Sequence, residues 1–475
     1  MNMNNNKWPM VTILCIAIVA TFYNLHDLMS FFGDQAWFYL SARDMLLTWN
    51  VPLVGIASSH PWLHQGAYWT YILSAIFAVT NFSPYVPAYI TATVSIITVW
   101  LLYVVGKKMF SSIVGLFAAF LYATSPLIII NARMPYHTSL IPFLVLVYVY
   151  ALYKWLQGNI RYFPLLVGLV ALLYNFEIAT TPFTVILILC LLYGFWKKSD
   201  FAIKLISKKS ISSSLIVWFL VMLPMLLYDI QNGFPQTVKF VLWIGYRVAR
   251  LFGYPDIHRD TIFTPLAPFL PFTITKMHDL LFELNNVIAA IILLTAFAAV
   301  SYKIYLHWKT KHKDIALVSL YVSFTIPFMG YLGLHTSSDA YWPMFFPTIM
   351  LLVGYGFGLL MWKNKFLSAG VCIAVLFVGF SNGFLLLSNN YFMSAESYGY
   401  PMSERVQVAE TIVKEAKGEK YTIIGKGKGS EFASFTMPYE YLAWWLNKKN
   451  IPSKSAKIKT FIVSETNRGI IIKEK

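Results

Sequence analysis

Long apolar runs separated by short polar turns dominate the first 388 positions of the chain. Runs of about 20 residues are long enough to cross a hydrocarbon core of about 30 Å as helices. The pattern therefore predicts an all-α polytopic membrane protein. We expect eleven transmembrane helices, at residues 8–29, 84–106, 111–130, 136–155, 162–177, 179–196, 211–229, 281–302, 315–334, 341–362 and 366–388.

A shorter apolar run, Tyr68–Val79, does not fit this series. With only about 12 residues it is too short for an ordinary span, and we expect an interfacial or re-entrant helix. Counting it as a span would place every later loop on the opposite side of the membrane. The run that begins at Trp8 lacks a small-x-small cleavage site before the polar region, so it is predicted to be an uncleaved first span.

The basic residues test this topology independently. They gather in alternate loops, which is typical of the cytoplasmic side. The N-terminus is therefore predicted to be cytoplasmic. The loops placed inside hold Lys107, Lys108, Lys154, Arg161, Lys197, Lys198, Lys204, Lys208, Lys209, Lys303, Lys309, Lys311, Lys313, Lys363 and Lys365.

The acidic residues are distributed in the opposite way. Twelve Asp and Glu precede residue 389, and only Asp200 and Asp314 fall in cytoplasmic loops. Carboxylates contribute little to membrane insertion, so topology does not force this bias. It indicates a polar, functional outer surface. The outer acids are Asp27, Asp34, Asp44, Glu177, Asp229, Asp256, Asp260, Asp279, Glu283 and Asp339.

The composition changes after residue 388, where 14 Lys and Arg and 9 Asp and Glu occur among the last 87 residues. The pattern predicts helices at 403–418 and 439–446 and strands at 421–424, 460–464 and 470–472. We therefore expect two domains. Residues 1–388 form the transmembrane domain, and residues 389–475 form a small C-terminal extracytoplasmic α/β domain.

Composition excludes several classes of protein. Only 12% of the residues are charged and 58% are hydrophobic, whereas a soluble domain carries about 25% charged residues. The net charge of +16 reflects the lysine-rich loops, so we predict no nucleic-acid partner. Cys15, Cys190 and Cys372 all lie in apolar runs and form neither a CxxC metal motif nor a disulfide framework.

The first outer loop is the richest candidate for chemistry. Asp34 directly follows the first span and begins a short amphipathic helix. A carboxylate at the membrane edge is suited to activate a hydroxyl or hold a cation. Alternatively, Asp34 merely caps the helix, and spacing alone leaves both interpretations open. One face of this helix carries Tyr39, Ala42, Arg43 and Leu46.

Several short motifs follow one another in order over residues 33–347. They are Gly33-Asp34 with Ala42-Arg43-Asp44-Met45, then His64-Gln65-Gly66-Ala67-Tyr68-Trp69, Gly106-Lys107-Lys108-Met109-Phe110, Thr124-Ser125-Pro126 with Arg133, and Tyr341-Trp342-Pro343-Met344-Phe345-Phe346-Pro347. The ordered set resembles GT-C membrane glycosyltransferases of the protein-mannosyltransferase and aminoarabinose-transferase type.

The resemblance implies transfer of a sugar from a polyprenyl-phosphate donor to an acceptor hydroxyl on a protein, lipid or cell-wall glycan. Asp34 matches the family's catalytic acid, and His64 and Tyr341 match segments expected to contact substrate. Many members also carry an acid in the loop after the third span. Here residues 131–139 hold no carboxylate, and His137 stands in that region. A neutral imidazole there is either a hydrogen-bond partner or a structural residue.

Arginine usage gives an independent argument for a phosphate ligand. Cytoplasmic basic residues are nearly all lysine, whereas the seven outer ones before the tail include five arginines. The planar guanidinium suits phosphate oxygens, although snorkelling at the interface is the alternative. Arg247 and Arg250 are three residues apart, so both can face one site. The five are Arg43, Arg133, Arg247, Arg250 and Arg259.

The outer loop at 230–280 also contains Asp256, His258 and Asp260. Two ligands at the spacing of His258 and Asp260 are weak evidence for a metal, and a solvated turn is the preferred interpretation. The sequence predicts no specific metal ligands. It neither requires nor excludes a divalent metal as a cofactor.

The sequence therefore favours a multi-pass membrane glycosyltransferase that acts on the extracytoplasmic face. A transporter or lipid flippase is the alternative, but that class should show charges deep in its spans and internal repeats. A scaffold whose tail recruits a partner would explain the tail and leave the outer acids and arginines unexplained.

Overall fold

The chain forms a bundle of apolar helices with a small mixed sheet near its C-terminus. The structure is a computed structural model, and it describes residues 7–58, 60–196, 207–254, 266–310, 314–334, 337–361, 365–394, 397–447 and 458–475. The predicted fold class of helical membrane protein with a C-terminal sheet is confirmed.

The helices of the bundle are α1 (Trp8–Phe22), α2 (Leu25–Leu28), α3 (Gly33–Thr48), α4 (Tyr68–Thr80), α5 (Val86–Met109), α6 (Ser112–Thr124), α7 (Pro126–Ala132), α8 (Ile141–Leu156), α9 (Tyr162–Phe176), α10 (Pro182–Trp196), α11 (Lys208–Asn232), α12 (Phe240–Leu251), α13 (Leu266–Leu281), α14 (Asn286–Lys309), α15 (Ile315–Leu334), α16 (Phe346–Met361) and α17 (Lys365–Ser388). A hairpin, β1 (Val54–Ala57) and β2 (His64–Gly66), lies between α3 and α4. Short 3-10 turns occur at His137–Leu140, Ile178–Thr180, Asp339–Met344 and Asn390–Phe392.

Seven helices in the described part of the chain are long and apolar enough to cross a membrane, and a bent pair would make an eighth. Three of the other expected spans are helices of 15 or 16 residues, at Trp8–Phe22, Tyr162–Phe176 and Phe346–Met361. The chain is thus a multi-pass membrane protein, while the number eleven stays a prediction. The run at Tyr68–Thr80 is a 13-residue helix, as its length led us to expect.

The predicted single span at 111–130 is two helices that meet at an angle of 67°. The break lies at Ser125, whose φ of −73° and ψ of 122° are extended. Pro126 follows it, and a proline disfavours the helical conformation in the residue before it. Proline at the first position of α7 is well tolerated, because the N–H there has no partner within the helix.

Helix α3 is held against the bundle by its buried residues Ala36, Phe38, Tyr39 and Ala42. Tyr39 packs edge to face on Phe77 of α4 at 5.0 Å between ring centroids. The Ser74 hydroxyl donates to the carbonyl of Ala42. The helix ends where Trp49 adopts a left-handed conformation. The amphipathic helix expected after Asp34 therefore exists as a helix, and its position along the membrane surface stays a prediction.

The C-terminal elements are α18 (Met402–Ala416), α19 (Met437–Asn447) and three strands. The strands β3 (Lys420–Lys426) and β4 (Ile458–Thr466) are parallel, and β5 (Gly469–Glu474) is antiparallel to β4. All five elements overlap their predicted positions.

A buried cluster holds these C-terminal elements together. Arg405 of α18 donates to both carboxylate oxygens of Glu465 in β4, at 2.6 and 3.2 Å, and to the Tyr439 hydroxyl of α19 at 3.0 Å. A bidentate arginine–carboxylate pair fixes orientation as well as distance. The unit also contacts the bundle directly, because the Met402 N–H donates to the carbonyl of Met29.

Candidate active site

Asp34 is the second residue of α3, and its two carboxylate oxygens have different partners. The Tyr136 hydroxyl donates to Oδ2 at 3.5 Å. The Ser434 hydroxyl, from the turn before α19, donates to Oδ1 at 3.2 Å. Asp34 lies in the first turn of α3, whose N-cap residue is Phe32. The cap of α3 comes from Gln35, whose side chain accepts from the Phe32 N–H. Asp34 is thus not the N-cap residue, and its side chain contacts Tyr136 and Ser434 from other segments.

Three 3-10 turns meet beside Asp34. The turn Asp339–Met344 packs against both His137–Leu140 and Ile178–Thr180. Each turn leads into a long helix, so the N-termini of α8, α10 and α16 converge near the N-terminus of α3. Helix N-termini carry partial positive charge and favour anions. These helix N-termini therefore add partial positive charge to the surroundings of the Asp34 carboxylate.

Glu177 supplies the second carboxylate that residues 131–139 lack. It is buried just before Ile178–Thr180, and the Gln65 side-chain amide donates to both of its oxygens at 3.3 and 3.2 Å. The Ala179 N–H donates to Oε1 at 3.2 Å. His137 Nε2 lies 3.5 Å from Oε2. The sequence indicated Glu177 only as one of the outer acids, because it follows a different apolar run from residues 131–139.

Tyr136 lies between the two carboxylates. Tyr136 is partly buried, and the negatively charged neighbours of its hydroxyl are Asp34 and Glu177. The phenol therefore keeps its proton and acts as a hydrogen-bond donor. The ring of His137 packs on Tyr136 at 4.0 Å and on Phe38 at 5.2 Å between centroids. His137 is thus a buried part of this cluster and not a solvent-facing residue.

The motif around His64 is held by close packing. A Cβ at Gly66 would lie 1.9 Å from Oδ1 of Asn175, so only glycine lets β2 approach α9 this closely. His64 is tied to Gln236, which accepts from its N–H at 3.1 Å and contacts its Nδ1 at 3.3 Å. Burial lowers the pKa of His64 below its ordinary value. The imidazole is therefore neutral near pH 7 and suited to hydrogen bonding.

Arg43 lines a pocket of about 510 Å³ between α3 and α19. Its guanidinium bonds to Asp44 at 2.6 Å and lies over the ring of Trp444 at 5.0 Å. Met437 and Glu440 of the C-terminal unit line the same pocket. Arg43 thus lies where the first outer loop meets the C-terminal unit, and its side chain forms part of the wall of this pocket.

Arg133 is buried, and the two terminal nitrogens of its guanidinium bond to backbone carbonyls. Its guanidinium donates to the carbonyls of Thr21, Tyr23 and Asn24 at 2.8, 2.9 and 3.3 Å, and it stacks on Tyr391 at 3.8 Å. These carbonyls lie at the C-terminal end of α1, where the last backbone carbonyls have no hydrogen-bond partner within the helix. Arg133 supplies the missing donors. The side chain is thus bound at the end of the first span.

The remaining predicted residues fall in different places. Tyr341 lies in the turn Asp339–Met344 and is electrostatically coupled to Tyr136. Arg247 and Arg250 lie on α12, as predicted, and their side chains are outside the described part of the structure. Asp256, His258, Arg259 and Asp260 also lie outside the described residues.

A metal ion does not fit the residues around Asp34. Within the described ranges, three His, Cys, Asp or Glu ligand atoms lie within 4.8 Å of one another at His278, Asp279 and Glu283 and not at Asp34. The Asp34 and Glu177 carboxylates are separated by Tyr136 and already accept hydrogen bonds. The chemistry of this site is therefore considered without a metal.

No protein-family model and no curated protein matches this sequence. The fold, however, is similar to solved structures. ArnT from Cupriavidus metallidurans bound to undecaprenyl phosphate aligns over 98% of this chain and 98% of its own, with 9% identity and a TM-score of 0.60. The archaeal oligosaccharyltransferase AglB from Archaeoglobus fulgidus, in complex with an inhibitory peptide and a dolichol-phosphate, aligns over 96% and 69%, with 12% identity and a TM-score of 0.59.

The same Archaeoglobus fulgidus oligosaccharyltransferase in complex with zinc and sulfate aligns over 96% of this chain and 67% of its own, with 12% identity and a TM-score of 0.58. The chain therefore shares its fold with ArnT and with this archaeal oligosaccharyltransferase. The fold implied by the ordered sequence motifs is confirmed.

Proposed function

We propose that this protein transfers a sugar from a polyprenyl-phosphate carrier to an acceptor hydroxyl, with Asp34 as the general base. The observation that carries the proposal is the placement of Asp34, which is held by Tyr136 and Ser434 where several helix N-termini meet in a GT-C fold. One of the similar structures contains undecaprenyl phosphate and another a dolichol-phosphate.

The reaction breaks the bond between the anomeric carbon and the phosphate oxygen and forms a bond from that carbon to the acceptor oxygen. Asp34 would take the acceptor's proton as this bond forms. The polyprenyl phosphate leaves with an added negative charge. Groups that stabilise this charge in the transition state accelerate the reaction most effectively.

The helix N-termini beside Asp34 are suited to that role because their N–H groups favour anions. Lys276 adds a positive charge next to this region. Its Nζ lies 2.9 Å from Asp339, which begins the turn that contains Tyr341. We therefore include Lys276, Tyr341 and Arg43 among the substrate contacts, together with Arg247 and Arg250 from the sequence. Arg133 is left out because carbonyl groups occupy it.

Glu177, Gln65 and His137 would act as positioning residues. The carboxylate fixes His137 from one side, and Gln65 fixes the carboxylate. Tyr136 would orient Asp34 and keep its oxygen directed at the acceptor. His64 would hold the β1–β2 hairpin through Gln236.

We further propose that this end of the bundle faces the extracytoplasmic side and that the N-terminus is cytoplasmic. The lysine-rich turns on the opposite side support this orientation. With all short apolar helices except Tyr68–Thr80 counted as spans, the number of spans is eleven, as the hydropathy predicts. Residues 389–475 would then form the extracytoplasmic domain.

The direct test uses membranes that contain the full-length chain and a panel of synthetic polyprenyl-phosphate sugars labelled in the sugar. We expect transfer of label to an acceptor fraction. D34N should reduce the rate by at least about 100-fold at equal protein level, because a positioned general base contributes about 10²- to 10⁴-fold. Y136F should reduce it by about tenfold, since Asp34 then loses one orienting donor.

D27N is the matched control, because Asp27 is an exposed carboxylate in the same outer segment and pairs with His26. It should keep full activity. Full activity in D34N would refute the assignment of the base. Absence of transfer from every donor, together with counterflow of a labelled solute in proteoliposomes, would favour a transporter.

A further inference from the structure

A second cluster of ionisable side chains lies at the end of α13, apart from Asp34. His278, Asp279 and Glu283 each offer one ligand atom, and these atoms lie within 4.8 Å of one another. One imidazole nitrogen with two carboxylate oxygens is a donor set that zinc accepts in proteins, with further positions open to water. We propose that His278, Asp279 and Glu283 form a binding site for a divalent transition metal such as Zn²⁺.

The backbone of this segment is fixed by its neighbours. The side-chain oxygen of Asn382 accepts from the Glu283 N–H at 3.0 Å, and its amide donates to the Leu281 carbonyl at 3.1 Å. The Ser125 hydroxyl donates to the Leu280 carbonyl at 2.7 Å. Helices α17 and α6 thus hold the α13–α14 connection from two sides. A site built on an anchored backbone needs little reorganisation to bind an ion.

The geometry of His278 suits a metal ligand. Its Nδ1 lies 3.1 Å from Oδ1 of Asp279. These two atoms are close enough to bind one ion side by side, and a metal ion would take the place of the proton between them. Glu283 completes the set, because its ligand atom lies within 4.8 Å of those of His278 and Asp279. The side chains of His278 and Asp279 are 19% and 15% exposed, so the site is sheltered and still reachable by an ion.

The local charge also favours a cation. Lys276 is the cation that faces these carboxylates, at 3.5 Å from Asp279, and it is shared with Asp339 at 2.9 Å. The C-terminal end of α13 adds partial negative charge. A bound metal ion would neutralise the negative charges of Asp279 and Glu283. Lys276 would then remain paired with Asp339.

This inference does not depend on glycosyl transfer. The test uses purified full-length protein without an affinity tag, first treated with chelator and then dialysed against buffered zinc. We expect about one zinc per chain by elemental analysis. H278A and E283Q should each weaken binding by at least about tenfold, since loss of a ligand costs at least as much as loss of a supporting residue.

H26A is the control. His26 and Asp27 form the same kind of adjacent pair, with 3.0 Å between Nδ1 and Oδ1, and they have no third ligand in the described part of the chain. Zinc should raise the melting temperature of the wild type and of H26A but not that of E283Q. In chelator, E283Q should melt no lower than the wild type, which shows that the variant folds.

Three outcomes would overturn the proposal. They are no bound zinc in the wild type at micromolar free zinc, unchanged zinc binding in both H278A and E283Q, and an equal loss of binding in H26A.

Discussion

The Ser434 hydroxyl donates a hydrogen bond of 3.2 Å to Oδ1 of Asp34 across 400 positions of sequence. The last part of the chain is therefore in contact with the proposed general base. An acceptor hydroxyl would make the same kind of contact with this carboxylate. The position of the turn before α19 thus limits the space that an acceptor can occupy next to Asp34.

Gly33 makes this contact possible. A Cβ at position 33 would lie 2.6 Å from both the carbonyl oxygen and the hydroxyl of Ser434. G33A should therefore push the turn away from α3 and cost about 1–3 kcal/mol in the free energy of unfolding. We expect a lower melting temperature and a changed apparent KM for the acceptor.

The control for this substitution is G370A. Gly370 lies inside α17, and nothing lies within 4 Å of its added Cβ. Alanine there should be neutral or stabilise the helix by up to about 1 kcal/mol. A G33A protein with the melting temperature and kinetics of G370A would contradict the close packing of Ser434 on α3.

The contact between Gln65 and Glu177 predicts that a negative charge at position 65 destabilises the protein. Q65E would place a second carboxylate against buried Glu177, and two like charges at that distance are unfavourable. We expect Q65E to lower both the melting temperature and the transfer rate. The exchanged pair Q65E/E177Q should recover stability, because it restores one amide and one carboxylate.

Gln157 provides the comparison, since it is exposed and accepts from Lys154 at 3.2 Å. Q157E should leave the melting temperature nearly unchanged, as exposed ion pairs contribute about 0–1 kcal/mol. Equal effects of Q65E and Q157E would mean that Glu177 is not a buried charged partner of Gln65.

Substitution of Arg133 distinguishes a structural role of this residue from a role in substrate binding. R133M removes three hydrogen bonds to carbonyls at the end of α1, each worth about 1.5–3 kcal/mol when the donor is charged. We expect a large fall in the melting temperature and no change in the KM for the donor among molecules that remain folded. The exposed R161M is the control and should leave both unchanged. A raised donor KM in R133M at normal stability would restore Arg133 to the substrate site.

The C-terminal unit should depend on Arg405. R405M would leave the Glu465 carboxylate without its bidentate partner, and breaking a buried pair costs about 3–5 kcal/mol. Because Glu465 is 18% exposed, the lower end of that range is expected. Limited proteolysis should cut residues beyond 388 faster in R405M. K459M removes the more exposed pair with Glu474 and should cost no more than about 1 kcal/mol. Equal protease resistance of R405M and wild type would contradict this role.

Much of the fold follows from local sequence properties. Apolar runs fix the helices of the bundle, because a helix that crosses lipid must satisfy its own backbone hydrogen bonds. The alternating and amphipathic patterns after residue 388 predicted α18, α19 and the three strands. Asp34 could be identified from its position at the start of a helix after the first span. The bend at Ser125 was missed, although Pro126 carried the signal.

The tertiary structure decided which residues surround Asp34. Tyr136, Glu177 and Ser434 come from three separate segments, and no local periodicity brings them together. The roles of the arginines also depended on tertiary structure, because a guanidinium can donate to carbonyls as well as to phosphates. Packing alone shows that Arg133 bonds to carbonyls whereas Arg43 lines a pocket. The sequence by itself determined a membrane-embedded helical chain with a carboxylate at one helix start. Packing over long sequence separations determined the partners of that carboxylate, because contacts between distant segments depend on the whole fold.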